Sequence, residues 1–318
     1  MDLSLALQRS RRGKCSAYSN PPVSHFSCQD PVRAVGPSDP EYPTALHLPA
    51  LRPRPPALFI RGKNPLPRKD LCVAIIGSRR CTEDGRAIAR ELAAGLAAVG
   101  VTVVSGLALG IDAAAHEGAL DVGGRTIAVL ASAVDSPTPK TNRTLANEIV
   151  SSGNWLVSER TPGASVRPSE FPRRNRLLVG LCSAVLVVEA GLPSGTLGTV
   201  GLALDIGHDV GVVPGSVLSP ASRGANALIR AGATPVTTIR DALELLPSQQ
   251  VGPDAPTSDA ETCALLRGTH GARNTMSGWI TGSGLGEERG RHTLLKLIAR
   301  GALRREGGGN IARCLPLR

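Results

Sequence analysis

From Leu71 onward, short apolar runs alternate with longer stretches in which apolar residues recur at helical spacing. The runs CVAIIG (72–77), VTVVSG (101–106), RTIAVLAS (125–132), NWLVSE (154–159), AVLVVEA (184–190), DVGVVPG (209–215) and ATPVT (233–237) read as strands. Between them, 82–100, 110–123, 141–153, 174–182, 194–207 and 224–232 read as helices. The first of these has Thr82 as its N-cap, with Glu83 and Asp84 in the first turn. The strands are apolar throughout instead of alternating, so both sheet faces must be covered. Strand–helix alternation with buried strands predicts an α/β fold with a doubly wound parallel sheet. Ligands of such sheets bind outside the carboxyl ends of the strands. Polar and glycine-rich punctuation falls at those ends: Gly77-Ser78-Arg79, Ser105-Gly106, Ser132, Glu159 and Pro214-Gly215.

The flanks follow other patterns. Residues 1–40 show no period and read as an irregular segment. Residues 41–70 are proline-rich with one apolar run, Ala57–Ile60, a lead-in strand to a main domain spanning 41–246. The composition of 247–258 is that of a linker. Beyond it, 259–318 carries three short helical stretches and a glycine hairpin, the pattern of a winged-helix-like module. A three-helix interaction domain fits that stretch equally, since Ser283-Gly284 and Gly286 are unusual inside a recognition helix.

Composition narrows the function classes. With 318 residues and 42% hydrophobic content, the chain can bury a sizeable core. No apolar run approaches the roughly 20 residues of a membrane helix. The N-terminus MDLSLALQRSRRGK lacks the apolar stretch of a secretory signal. Lys and Arg total 36 against 26 acids, a net charge of +10, and only five of the cations are lysine. Two origins fit that excess: the base composition of a GC-rich genome, or a polyanionic partner. Aromatic residues make up only 2%, so a surface of many stacked bases is excluded and phosphate contacts would dominate. The seven cysteines include no C-x-x-C pair, which supports neither a disulfide framework nor a zinc site; reduced, cytoplasmic thiols are the expectation.

Candidate chemistry sits at the strand-to-helix turns. Gly77, Ser78, Arg79 and Arg80 follow a strand and open a helix, where backbone N–H groups and the helix end favour an anion. Arginines replace the spacing glycines of a dinucleotide fingerprint, so a phosphate held by guanidinium is favoured over a pyrophosphate. Gly106 and Gly110 bracket a second such turn, followed by Asp112 and His116 at i, i+4. No nucleophile stands beside that pair, and a capping and hydrogen-bonding role is expected for it. Lys140, Asn142 and Arg143 open a third helix. Phe171-Pro172-Arg173-Arg174-Asn175-Arg176 adds three guanidinium groups in four residues. Ser194, Gly195 and Thr196 open a helix with small residues that let a phosphate approach the backbone. Repeated anion-binding elements on one sheet edge fit an extended phosphate backbone. No Walker motif and no metal-ligand cluster occurs, so no cofactor and no metal are expected.

Several blocks, in one order, are similar to the DprA/Smf family of bacterial DNA-processing proteins. They are YPTALHLPALRPRPPALFIRGK, VAIIGSRRCTEDG, VVSGLALGIDAAAHEGAL, TIAVLASAVDSPTPKTNRTL, FPRRNRLLVGL, AVLVVEAGLPSGTLGTV and VVPGSV followed by RGANALIRAGA. The resemblance covers 41–246. It implies an extended Rossmann-like, mostly parallel sheet that binds single-stranded DNA. It further implies a homodimer and delivery of the strand to the RecA recombinase during natural transformation, with no catalytic step. By motif, Arg79, Lys140 and Arg143 would line the DNA pocket, Arg173, Arg174 and Arg176 would extend it, and Ser194–Thr196 would shape its floor. The sequence departs from the family at Ala131-Ser132-Ala133, where glycines are usual, at Thr138, where tyrosine is usual, and at Gly198 in SGTLGTV. The family's N-terminal helical domain is missing or shortened in 1–40.

Two other function classes remain. A phosphoribohydrolase-like nucleotide-processing enzyme would share the sheet and the SGTLGT helix start. Such enzymes carry P-G-G-x-G-T-x-x-E, and PSGTLGTVG ends without the acid, leaving Glu189 or Asp112 as substitutes. A nucleotide-sensing scaffold without nucleic acid is the third.

Overall fold

The computed structural model describes residues 31–62 and 65–247, together with 290, 293–294, 303–306 and 310–313. In chain order, β1 (Arg33–Val35) and β2 (Leu58–Arg61) precede β3 (Cys72–Gly77), α1 (Glu83–Ala98), β4 (Thr102–Ser105), α2 (Ile111–Leu120) and β5 (Thr126–Val129). Then come α3 (Arg143–Ser151), β6 (Trp155–Ser158), α4 (Glu170–Gly180), β7 (Ala184–Glu189), α5 (Thr196–Asp205) and β8 (Asp209–Val212). The last elements of this body are α6 (Arg223–Arg230), β9 (Thr234–Pro235) and α7 (Ile239–Glu244).

The strands form one nine-stranded sheet in the order β1-β2-β6-β5-β4-β3-β7-β8-β9. From β6 to β9 every pairing is parallel, while β1 and β2 add antiparallel strands at one edge. The chain winds outward from β3 through β4 and β5 to β6, then returns to the other side of β3 for β7, β8 and β9. That reversal makes the gap between the ends of β3, β4 and β7 the topological switch point, where doubly wound sheets bind ligands.

Period-two alternation along β3 decides how the layers are held. Val73 and Ile75 point into the apolar layer beneath α1, α2 and α7, whereas Cys72, Ala74 and Ile76 point into the layer containing α4, α5 and α6. Leu46 and Leu51, from short 3-10 turns of the lead-in, join that second layer. Gly180 is required there, because a Cβ would overlap the Leu46 side chain. Each fully buried leucine or isoleucine contributes about 1.5–3 kcal/mol.

Three features differ from the sequence expectation. Residues 33–35, inside the segment read as irregular, form an edge strand whose Val35 is buried. Helix α4 begins at Glu170, not 174, since Pro172 falls in the first turn, where its missing N–H costs nothing. Helix α7 was not anticipated; the Thr238–Asp241 capping box that starts it is legible as T-x-x-D. In the stretch read as a glycine hairpin, β10 (Leu303–Glu306) and β11 (Asn310–Arg313) pair antiparallel. The first two helices expected for the C-terminal module, residues 248–258 of the 247–258 linker and residues 1–30 lie outside the described residues; of the third expected helix, Gly290, Thr293 and Leu294 are described and are helical and buried. No helix among the described residues is long and apolar enough to cross a membrane.

Candidate nucleic-acid interface

A cleft of about 900 Å3 opens at the switch point, a size that encloses a small ligand. Its walls are the β3–α1 turn (Gly77, Ser78, Arg79, Arg80), Ala108 and Asp112, one side of α4 (Phe171, Pro172, Arg174, Asn175, Leu178), and the β7–α5 turn with the start of α5.

At the β3–α1 turn four backbone donors, those of Ser78, Arg80, Thr82 and Gly85, are already spent. Ser78 N donates to the Glu189 carbonyl at 2.8 Å, and Arg80 N to Ser78 Oγ at 3.1 Å. Thr82 caps α1 by accepting from Gly85 N at 3.0 Å. The same Thr82 donates its N–H and its hydroxyl to the Glu189 carboxylate, the latter at 2.7 Å. Gly85 has no side chain because a Cβ would overlap that carboxylate. A buried anion of the protein therefore lies at the α1 N-terminus, and the N–H groups of Ser78, Arg80 and Thr82 are taken within the protein. What it does offer is guanidinium: Arg79 and Arg80 are exposed, and Arg79 lies 5.0 Å from the centre of the Phe171 ring, a contact worth about 0.5–1 kcal/mol when exposed.

The β4–α2 turn is closed in the same way. Gly106 N and Ala108 N donate to Asp112 Oδ2 at 3.1 and 3.4 Å. Asn142 spends its amide on the carbonyls of Leu107 and Ala108, at 2.9 and 3.2 Å. These bonds hold Leu107 at φ 57°, a left-handed conformation that costs a leucine about 1–2 kcal/mol. Gly110, at φ 75°, lets this turn press on the Ser78 and Arg79 carbonyls, where a Cβ would overlap. Gly106, Gly110 and Asn142 therefore shape the cleft from behind and do not line it. Lys140 is exposed at the start of a 3-10 turn and Arg143 is half-buried; neither lines the cleft.

Helix α4 sorts its three arginines by helical geometry. Arg173 and Arg176, three residues apart on one face, both pair with Glu159, Arg173 at 3.1 Å and Arg176 buried against the other carboxylate oxygen. Neither lines the cleft; both fasten α4 to the end of β6. Arg174 makes no pair with Glu159; it is buried and is among the residues that line the cleft. Its Nη1 donates to the Val129 carbonyl, and its guanidinium lies where a Gly106 Cβ would be. Burial pulls this guanidinium below its usual range and Asp112 offsets that; burial raises the Asp112 carboxyl, opposed by Arg174 and the two amides.

His116, the partner expected for Asp112, bonds elsewhere. Thr126 Oγ1 donates to the Val103 carbonyl at 2.9 Å, so it accepts from His116 Nδ1 at 2.7 Å, which assigns the Nδ1–H tautomer. Burial, then the Arg174 charge, lower the His116 pKa to about 3.

The β7–α5 turn is the open one. Ser194 Oγ accepts from Thr196 N at 3.2 Å, yet the N-cap is Gly195, with no side-chain cap. A Cβ at Gly195 or Gly198 would meet nothing. Leu197 N donates to the Ser194 carbonyl at 3.3 Å, so Ser194 takes the first two N–H groups of α5, and what this turn leaves open is the space over Gly195 and Gly198, in the same cleft as Arg79, Arg80 and Arg174. Thr199 and Leu202 also line the cleft and were not anticipated; the small-residue run SGTLGT was the available signal. The family departures at 131–133 and 138 do not line it, whereas Gly198 does.

Residues 33–247 match the family described as DNA recombination-mediator protein A. The chain is 41% identical over 189 residues to the DNA processing protein DprA of Streptococcus pneumoniae, covering 59% of this chain and 66% of that protein. It is 40% identical over 233 residues to the protein Smf of Escherichia coli, covering 72% of this chain and 61% of that protein. It also matches a putative DprA of Mycobacterium tuberculosis, over 44% of that protein's length. The chain thus spans less than two thirds of these relatives. Among solved structures, the X-ray structure of the Streptococcus pneumoniae DprA superposes with a TM-score of 0.61 at 37% identity, over 68% of this chain and 75% of that one. A Helicobacter pylori DNA processing protein A, described for its unique single-stranded DNA binding mode, gives 0.57 at 31% identity, over 64% and 92%.

Proposed function

Because the chain belongs to the DNA recombination-mediator protein A family, we propose that it binds single-stranded DNA in the switch-point cleft and acts as a recombination mediator without catalysing a reaction. The observation that carries this reading is the convergence of Arg79, Arg80, Arg174 and the uncapped start of α5 on one cleft. Guanidinium groups and helix N–H groups recognise phosphate without reading bases, so affinity is sequence-tolerant and falls with salt. The single-stranded DNA binding named for the Helicobacter pylori relative supports the choice of ligand. Lys140 and Arg143, next to the turn that Asn142 holds, and the exposed Arg173 would contact the strand where it leaves the cleft. The finer parts of the proposal follow the family: a cytoplasmic homodimer that hands the strand to RecA during DNA uptake.

Fluorescence anisotropy of a labelled oligonucleotide, single-stranded and duplex, over a salt series tests the reading. Tighter binding of the single strand, with a steep salt slope, is expected. Equal weak binding of both forms would reject it and leave the net charge as a general attractor. For a nucleotide-processing enzyme, the cleft's carboxylate is Asp112, already bonded to two amides, and Glu189 is bonded to Thr82. Release of free base from nucleoside monophosphates would revive that alternative.

A further inference from the structure

Beside the cleft lies a turn that carries no charge. Between β8 and α6, Ser219 N donates to the Ser216 carbonyl at 3.0 Å, closing a β-turn with Val217 and Leu218 at its centre. These two side chains are 83% and 87% exposed, more than any other large hydrophobic side chain among the described residues. The turn is held at both ends. Asn226 brackets Gly215, accepting from its N–H at 3.2 Å and donating to its carbonyl at 2.9 Å. Gly224 N and Ala225 N both donate to the Ala190 carbonyl, at 2.8 and 3.1 Å. Turn centres favour Gly, Asn, Asp and Pro, so valine and leucine here serve something other than the turn. An ordered, adjacent apolar pair left in water points to a contact with a partner.

We infer that this turn is a base-docking rim: Val217 and Leu218 take the faces of bases in a strand whose phosphates lie in the cleft. This rests on the single-strand reading above. Continuity with the cleft names the occupant. The turn follows the carboxyl end of β8, which pairs in parallel with β7. Its Pro220 carbonyl packs on Gly191, where a Cβ would lie 3.4 Å away, and Gly191 lines the cleft. A strand held by its phosphates turns its bases elsewhere, and unstacked bases expose broad apolar faces. Phe171, the aromatic side chain of the cleft wall, already has the Arg79 guanidinium over its ring. Aliphatic side chains cover a base face without reading its hydrogen-bonding edge, so the contact is sequence-tolerant.

The test compares a 20-nucleotide oligo-dT with an abasic strand of the same length, built on tetrahydrofuran sites, which keeps the phosphates and lacks the bases. Val217→Ser combined with Leu218→Ser removes the apolar pair and keeps the length of the turn. The double variant should bind oligo-dT about fivefold more weakly and the abasic strand less than about twofold more weakly. Its slope of log affinity against log salt should match that of the unaltered chain, since no phosphate contact is lost. A second measurement needs no variant: the Val217 and Leu218 methyl resonances of the unaltered chain should move upfield on adding oligo-dT and stay in place on adding the abasic strand.

The inference is overturned if the folded double variant weakens both strands equally or neither, or if those methyl resonances ignore oligo-dT. A double variant that binds both strands as before but loses mass in sedimentation would assign the turn to a second copy of this chain and also overturn it. Failure of the unaltered chain to bind either strand would remove the single-strand reading, and this inference with it.

Discussion

The strand-to-helix turns after β3 and β7 differ in what fills their helix ends. The turn after β3 has the richer sequence signal, with glycine, serine, two arginines and a capping threonine, yet Glu189 and Thr82 close its helix end. The turn after β7 has no side-chain cap at Gly195 and open space over Gly195 and Gly198, with the Thr196 and Leu197 N–H groups held by Ser194 alone. A glycine-rich turn is thus an anion site only if its donors are not already taken, and a carboxylate from a distant strand can take them.

Removing the closure should have the largest effect. Glu189→Ala strips three charge-assisted bonds from the α1 cap and should cost about 3 kcal/mol. That corresponds to a fall of roughly 6–12 °C in Tm by thermal melting. Behind the open side, His116 is held neutral, with its pKa at about 3 against an ordinary 6.5. A lowered histidine pKa gives stability that is fully present above pH 6.5 and lost as pH falls toward 3. At pH 5 the loss is about 2 kcal/mol relative to pH 7; the raised Asp112 works in the opposite sense. Denaturant titrations at pH 7 and pH 5 should show that loss in the parent chain and much less of it in His116→Gln.

A third change converts the open turn into a closed one. Gly195→Asp places a carboxylate at the α5 N-cap, where space is free. Single-strand affinity should fall about tenfold while helix stability rises by a few tenths of a kcal/mol. An unchanged affinity would mean the α5 end is not a phosphate site. The smallest expected effect is at the exposed cations. Arg79→Ala should lower the slope of log affinity against log salt by about 1, uniformly across sequences. A slope unchanged in the folded variant would remove Arg79 from the interface.

The sheet was legible because burial on both faces writes itself into contiguous apolar runs such as CVAIIG and AVLVVEA. The placing of candidate residues at the carboxyl ends of the strands followed from the same alternation, whereas the switch point needed the strand order. The destination of the turn donors was not legible. Glu189 lies 107 residues from the threonine it holds, and Asn142 reaches back 35 residues to Leu107. Local spacing encodes a turn but not the side chain that will occupy it. At α4 the difficulty was a boundary: a helix read as starting at 174 left Arg173 outside it and hid the phase that pairs Arg173 and Arg176 with Glu159 and leaves Arg174 apart. The short β1 has too few residues to show a period at all.

Amide hydrogen exchange of the chain with and without an oligo-dT strand tests the contrast between the two turns most directly. The account predicts new protection at Gly195–Thr199 and unchanged exchange at Thr82 and Gly85, whose N–H groups are already bonded. New protection at Thr82 and Gly85 with none at Gly195–Thr199 would contradict it.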